Sequence, residues 1–138
     1  MDQSSTERRR LLLVDDCAPQ RELYELMLER DFDVVTASRG AEGLELAVRT
    51  RPDAILLDVL MPEMDGWETC TRIRCDAATA DIPVILLTAA DDVDLSQHAV
   101  AVGASALLRK PCPADELRRT IDDLLRHQGG DRDPARPR

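Results

Sequence analysis

Five short apolar runs interrupt an otherwise polar and charged chain. They are Leu11 to Val14, Val34 to Thr36, Ala54 to Leu57, Pro83 to Leu87 and Ser105 to Leu108. None alternates apolar with polar residues as a strand with one wet face does. An unbroken run of four or five aliphatic residues has to be covered on both faces. Amphipathic segments stand between the runs and after the last, and supply that cover. The pattern therefore predicts an α/β domain with a parallel sheet and helices on both sides.

The predicted elements follow in order. Arg10 to Val14 is the first strand and Ala18 to Arg30 the first helix. That helix carries Leu23, Leu26 and Met27 on one face and Pro19 in its first turn. Asp33 to Ala37 is the second strand. Ala41, Leu44, Ala47 and Val48 recur at helical spacing. Ala54 to Leu57, ending at Asp58, is the third strand, and Trp67 to Arg74 a helix with Cys70 and Ile73 inward. Pro83 to Leu87 is the fourth strand, and Asp91 to Val102 a weaker helix stopped by Gly103. Ser105 to Leu108 is the fifth strand. Ala114, Leu117, Ile121, Leu124 and Leu125 mark the last helix.

With 138 residues the chain has room for one domain. Residues 10–127 are read as that domain, 1–9 as a flexible leader and 128–138 as a disordered tail rich in Gly, Pro and charge. Aromatic residues make up only 2%, so the core must be aliphatic. A net charge of −9 argues against nucleic acid as a direct ligand. No apolar run is long enough to span a bilayer and no signal peptide is visible, so the expected location is the cytoplasm. Cys17, Cys70, Cys75 and Cys112 lack metal-binding or disulfide spacing and are read as free thiols. His98 and His127 fit no catalytic pattern and are read as surface residues, and Gly66 as a backbone requirement.

In an open parallel sheet, chemistry gathers beyond the carboxyl ends of the strands. Asp15 and Asp16 follow the first strand, Asp58 ends the third, Thr88 and Ala89 end the fourth, and Lys110-Pro111 follow the fifth. Three clustered carboxylates repel one another and are tolerated around a divalent cation, for which Mg²⁺ suits a site with few protein ligands. One carboxylate could then act as a nucleophile toward phosphorus.

Asp15-Asp16, the segment from Leu56 to Trp67 around Asp58, Thr88-Ala89 and Lys110-Pro111 together resemble the receiver domain of two-component response regulators. The resemblance runs from about Arg10 to Arg126. It implies a flavodoxin-like (βα)5 fold with strand order 2-1-3-4-5. It implies that Asp58 accepts a phosphoryl group from a sensor histidine kinase or a histidine phosphotransfer protein. Mg²⁺ is then held by Asp16 and Asp58 directly, by Asp15 mainly through water, and by the Leu60 carbonyl. Lys110 pairs with Asp58 and then with the phosphoryl group, while Thr88 and the Ala89 amide bond that group. The Lys110–Pro111 peptide is typically cis in this family.

The chain departs from the family pattern at three positions. Leu107 stands where an aromatic switch residue is common. Any switch here has to work through backbone shifts in the loop after Thr88 and in the following helix. Leu60 and Ala90 are apolar where polar side chains in fast-dephosphorylating relatives position water, so slow loss of the phosphoryl group is expected.

No second domain follows the last helix, so the chain reads as a stand-alone receiver, a phosphoacceptor switch rather than an enzyme. It is expected to be monomeric or weakly dimeric and to act on an unknown protein effector, without nucleic acid or membrane. The alternatives are a receiver fragment of a hybrid histidine kinase, or a phosphate sink or relay. A haloacid-dehalogenase-like phosphatase needs an Asp where Leu60 stands. A flavin site needs a hydroxyl- or Gly-rich loop where Asp15-Asp16-Cys17 stand. A receiver without a working phosphoacceptor site is disfavoured because all the acids are present.

Overall fold

The computed structural model describes residues 8–89 and 95–131, with side chains to residue 126. Ala90, the predicted helix start at Asp91, and most of the leader and tail lie outside the described residues. Ten elements alternate: β1 (Arg10–Val14), α1 (Ala18–Leu28), β2 (Asp33–Ala37), α2 (Gly40–Thr50), β3 (Ala54–Asp58), α3 (Gly66–Cys75), β4 (Val84–Thr88), α4 (Leu95–Ala101), β5 (Ala106–Arg109) and α5 (Ala114–Asp131). The strands form one sheet in the order β2-β1-β3-β4-β5, and every neighbouring pair is parallel.

The apolar runs divide between two cores because successive side chains leave a strand on opposite faces. Leu12, Val14, Ile55, Leu57, Val84 and Leu86 pack with Ala47 of α2, Cys70 and Ile73 of α3, and Ala99 of α4. Leu11, Leu13, Leu56, Ile85 and Leu87 pack with Tyr24 and Leu28 of α1 and Leu117, Ile121 and Leu125 of α5. All five residues of β3 and of β4 are buried, so these two interior strands carry their side chains into a dry layer on each side. Burying a single Leu or Ile in this way is worth about 1.5–3 kcal/mol.

Three helices differ from the sequence reading. In α1 the inward residues are Tyr24 and Leu28, with Met27 half-buried, while Leu23 and Leu26 are 54% and 62% exposed. The segment Leu23 to Leu28 holds five large apolar residues in six, so its spacing fits more than one face. In α2, Ala41 and Val48 face water, and Gly40, Gly43 and Ala47 form the packed side. A Cβ on Gly43 would stand 2.8 Å from Val14 Cγ2, which is why the helix approaches β1 so closely there. Finally, α5 continues through Gly129 and Gly130 to Asp131, where the sequence reading places a disordered tail from residue 128. Extending an existing helix avoids the nucleation cost, leaving a propensity penalty of about 1 kcal/mol per glycine.

At the sheet edge where β4 and β5 begin, Arg74 of α3 acts as a strut. Its Nε donates to the Gly103 carbonyl (2.8 Å), and its Nη1 donates to those of Ile82 (2.7 Å) and Ala80 (3.2 Å). Nearby, the Cys70 thiol donates to the Val102 carbonyl at 3.4 Å. Among the described residues no helix is long and apolar enough to cross a membrane.

Candidate functional site

The strand order brings the ends of β1, β3, β4 and β5 side by side. Asp15 directly follows β1, and its amide donates to the Ala37 carbonyl at 3.1 Å, continuing the pairing with β2. Its Oδ1 accepts the Cys17 amide at 2.9 Å, and its carbonyl accepts Arg21 Nη1 at 2.7 Å. Side chain and peptide are therefore both clamped by the start of α1.

Asp58, the last residue of β3, is only 6% exposed. The loop behind it folds back so that the Gly66 amide donates to the Val59 carbonyl at 2.8 Å. A Cβ on Gly66 would stand 2.4 Å from the Asp58 carbonyl oxygen and 2.7 Å from Val59 Cα. Only glycine fits, in line with its reading as a backbone requirement. Asp65 then caps α3, its side chain accepting the Glu68 amide at 2.9 Å.

Thr88 is fully buried at the end of β4, and its carbonyl accepts the Lys110 amide at 2.8 Å. That bond carries the β4–β5 pairing one step past Arg109 and sets the root of the lysine. The Lys110–Pro111 peptide is cis, matching the expectation from the resemblance.

The side chains converge. Lys110 Nζ stands 3.2 Å from Asp58 Oδ1 and 3.5 Å from Asp15 Oδ2, and its side chain is 8% exposed. It also donates to Gln20 Oε1. Asp15, Asp16 and Asp58 each offer a carboxylate oxygen within 4.8 Å of the others. Burial pushes the Asp58 carboxyl up from its ordinary 3.8 to about 6. Lys110 opposes the rise, and the charges of Asp15 and Asp16 add to it.

Asp15 Oδ2 is buried and accepts no hydrogen bond, although the ammonium is close enough for an ion pair. A buried carboxylate oxygen in that condition costs about 1–3 kcal/mol or more. Three oxygen donors, one of them without a hydrogen bond, against a single ammonium suit a hard divalent cation. The donor set fits Mg²⁺ on this chain's own geometry.

Ala89 is exposed at the mouth of the site, where it and Lys110 line a groove of about 350 Å³ with Gln20, Leu23, Tyr24, Met27, Pro111 and Cys112. Leu60, two residues past Asp58, is 61% exposed. Leu107 is half-buried against the core on the α2–α4 side and brings no hydroxyl. The structure thus brings the carboxylates of Asp15, Asp16 and Asp58 within 4.8 Å of one another and pairs Lys110 with Asp15 and Asp58, with Thr88, Ala89 and Leu60 on the same edge. Sequence reasoning missed Gln20, because one glutamine in a first helical turn carries no spacing signal. It also missed the partner of His98, which stacks on Trp67.

The comparisons agree with this fold. The family model described as a response regulator receiver domain matches residues 11–122. The chain is 38% identical over 118 residues to the DNA-binding dual master transcriptional regulator RpaA of Synechocystis sp., covering 85% of this chain and 49% of that protein. It is 42% identical over 117 residues to the response regulator PleD of Caulobacter vibrioides, covering 84% of this chain and 24% of PleD. The chain thus spans half or less of these regulators. The receiver domain of the sensor histidine kinase PA1611 from Pseudomonas aeruginosa superposes with a TM-score of 0.80 at 28% identity, over 86% of this chain and 98% of that one. That structure has a magnesium ion coordinated in its active-site cleft.

Proposed function

Because this chain belongs to the response regulator receiver domain family, we propose that Asp58 is its phosphoacceptor and that the protein is a phosphoryl-accepting switch of two-component signalling. The observation that carries the reading is the Lys110–Asp58 pair at 3.2 Å, set among carboxylates within 4.8 Å of one another.

An Asp58 carboxylate oxygen attacks the phosphorus of a phosphohistidine. The P–N bond breaks, its electron pair returns to the imidazole, and the new P–O bond makes an acyl phosphate. Asp58 has to be ionised for this. A pKa near 6 leaves it largely ionised at neutral pH while keeping it more basic than an ordinary aspartate. Lys110 offers its ammonium to the phosphoryl oxygens, with Thr88 and the Ala89 amide as further donors. Asp16, Asp58, the Leu60 carbonyl and, through water, Asp15 would hold Mg²⁺, which would supply positive charge to neutralise the phosphoryl oxygens. The donor is a sensor histidine kinase or a histidine phosphotransfer protein. The output is a protein contact made by a cytoplasmic monomer or weak dimer of a domain spanning 10–127. With Leu60 apolar beside Asp58, the acyl phosphate hydrolyses slowly by itself.

Incubation with Mg²⁺ and acetyl phosphate, followed by intact mass measurement, tests this. One phosphoryl group should be added, and none in Asp58→Asn. Absence of any adduct on the wild-type chain contradicts the reading. The likeness to a sensor kinase's receiver domain favours a second role for the same chemistry, as a phosphoryl relay or sink or as the receiver of a hybrid kinase. Return of label from the phosphorylated chain to a histidine phosphotransfer protein would favour it.

A further inference from the structure

An ammonium has three N–H donors. Around Lys110 the structure sets three acceptors, namely Asp58 Oδ1, Asp15 Oδ2 and Gln20 Oε1. The three differ in kind. Asp58 is the oxygen that changes on phosphorylation. Asp15 Oδ2 stands at 3.5 Å and completes no hydrogen bond. Gln20 is neutral, half-buried and chemically inert throughout. Its orientation is settled by chemistry, because the lysine only donates and the amide nitrogen could not face it.

Gln20 also stands on a fixed support. It lies in the first turn of α1, whose start is tied to Asp15 by the Cys17 amide (2.9 Å) and by Arg21 (2.7 Å). The residue gripping the lysine is thus fastened to the loop that carries a carboxylate of the site. It reaches across 90 positions of sequence to do so.

We propose that Gln20 is a positioning residue, whose side-chain carbonyl holds the Lys110 ammonium over Asp58 before and during phosphoryl transfer. The inference rests on the reading of Asp58 as phosphoacceptor. Lysine has a long flexible stem, and a catalytic group already held in place spares the transition state that ordering. A neutral acceptor does this without competing for the positive charge. A carboxylate at the same place would draw the ammonium away from Asp58.

The test is a double-mutant cycle on the rate of labelling by acetyl phosphate at saturating Mg²⁺. Gln20→Met keeps the length and removes the acceptor. It should slow labelling about threefold to tenfold, the size of one lost hydrogen bond, with a melting temperature lowered by no more than a few degrees. Gln20→Asn withdraws the acceptor by one methylene and should slow labelling similarly. In a Lys110→Ala background neither change should slow it further, an outcome that a merely structural role for Gln20 would not produce. Wild-type labelling rates in both Gln20 variants, or equal slowing with and without Lys110, would overturn the proposal while leaving the role of Asp58 intact. A wild-type chain that takes no label overturns both.

Discussion

The Trp67 indole lies flat on the His98 imidazole, with ring centroids 3.9 Å apart and planes 12° from parallel. The stack joins α3, which starts behind Asp58, to α4, which follows β4 and Thr88. Trp67 is the only tryptophan, so its emission reports on this junction. His98→Ala should cost about 0.5–1.5 kcal/mol in urea denaturation, the usual worth of such a pair. It should also move the emission to longer wavelength as water reaches the indole face. An unchanged spectrum would show that the stack does not persist in solution.

The raised Asp58 carboxyl predicts a pH dependence. Its folded pKa, about 6, lies above the ordinary 3.8. Below both values it is protonated folded or unfolded and contributes nothing. As pH rises from about 4 to 6, the unfolded chain releases the proton first, so stability falls and stays lower above pH 6. The gap between the two pKa values sets an upper limit of about 3 kcal/mol on this loss. In EDTA, Asp58→Asn should therefore melt higher than wild type at pH 8, and the difference should shrink by pH 4.5. Saturating Mg²⁺ should raise the wild type more than the variant.

Gly66→Ala tests the backbone behind the site. The new methyl meets the Asp58 peptide rather than a pliable side chain, so the loop must shift. A loss of about 1–3 kcal/mol is expected in the denaturant midpoint. Acetyl phosphate labelling should slow as well, because the Asp58 carboxylate moves with its strand end.

Lys110→Arg asks whether one compact charge is needed. Lys110 is the only lysine beside 17 arginines, and it sits between two carboxylates and an amide with almost no exposed surface. A planar guanidinium is wider and cannot occupy the same point. Labelling and the response of any bound partner should both drop at least several-fold. Wild-type behaviour would make the lone lysine an accident of composition.

Leu60→Asn addresses the lifetime of the acyl phosphate. The exposed leucine offers no polar atom to orient an attacking water. With the asparagine, the half-life of isolated phosphoprotein in Mg²⁺ buffer should shorten about threefold to tenfold. A short wild-type half-life unaffected by the substitution would remove the basis for slow hydrolysis.

The sheet was legible because runs such as Ala54 to Leu57 admit few structures, and the site because its acids and lysine stand at the ends of those runs. Helix phase was less legible. In Leu23 to Leu28 nearly every residue is apolar, and the inward face is chosen by what β1, β2 and α5 leave open. Gln20 was invisible for a different reason. Its meaning comes from contact with a residue 90 positions away in the sequence, which no local spacing encodes.

The Arg74 strut has a mechanical consequence. It grips the backbone just before β4 and just after α4, at the end of the sheet away from Asp58. With Val102 also bonded to Cys70, the tail of α4 is a fulcrum. With that end held, α4 is a lever whose displacement takes the form of a tilt about it. Because Trp67 holds His98 partway along that lever, the same tilt must slide one ring across the other.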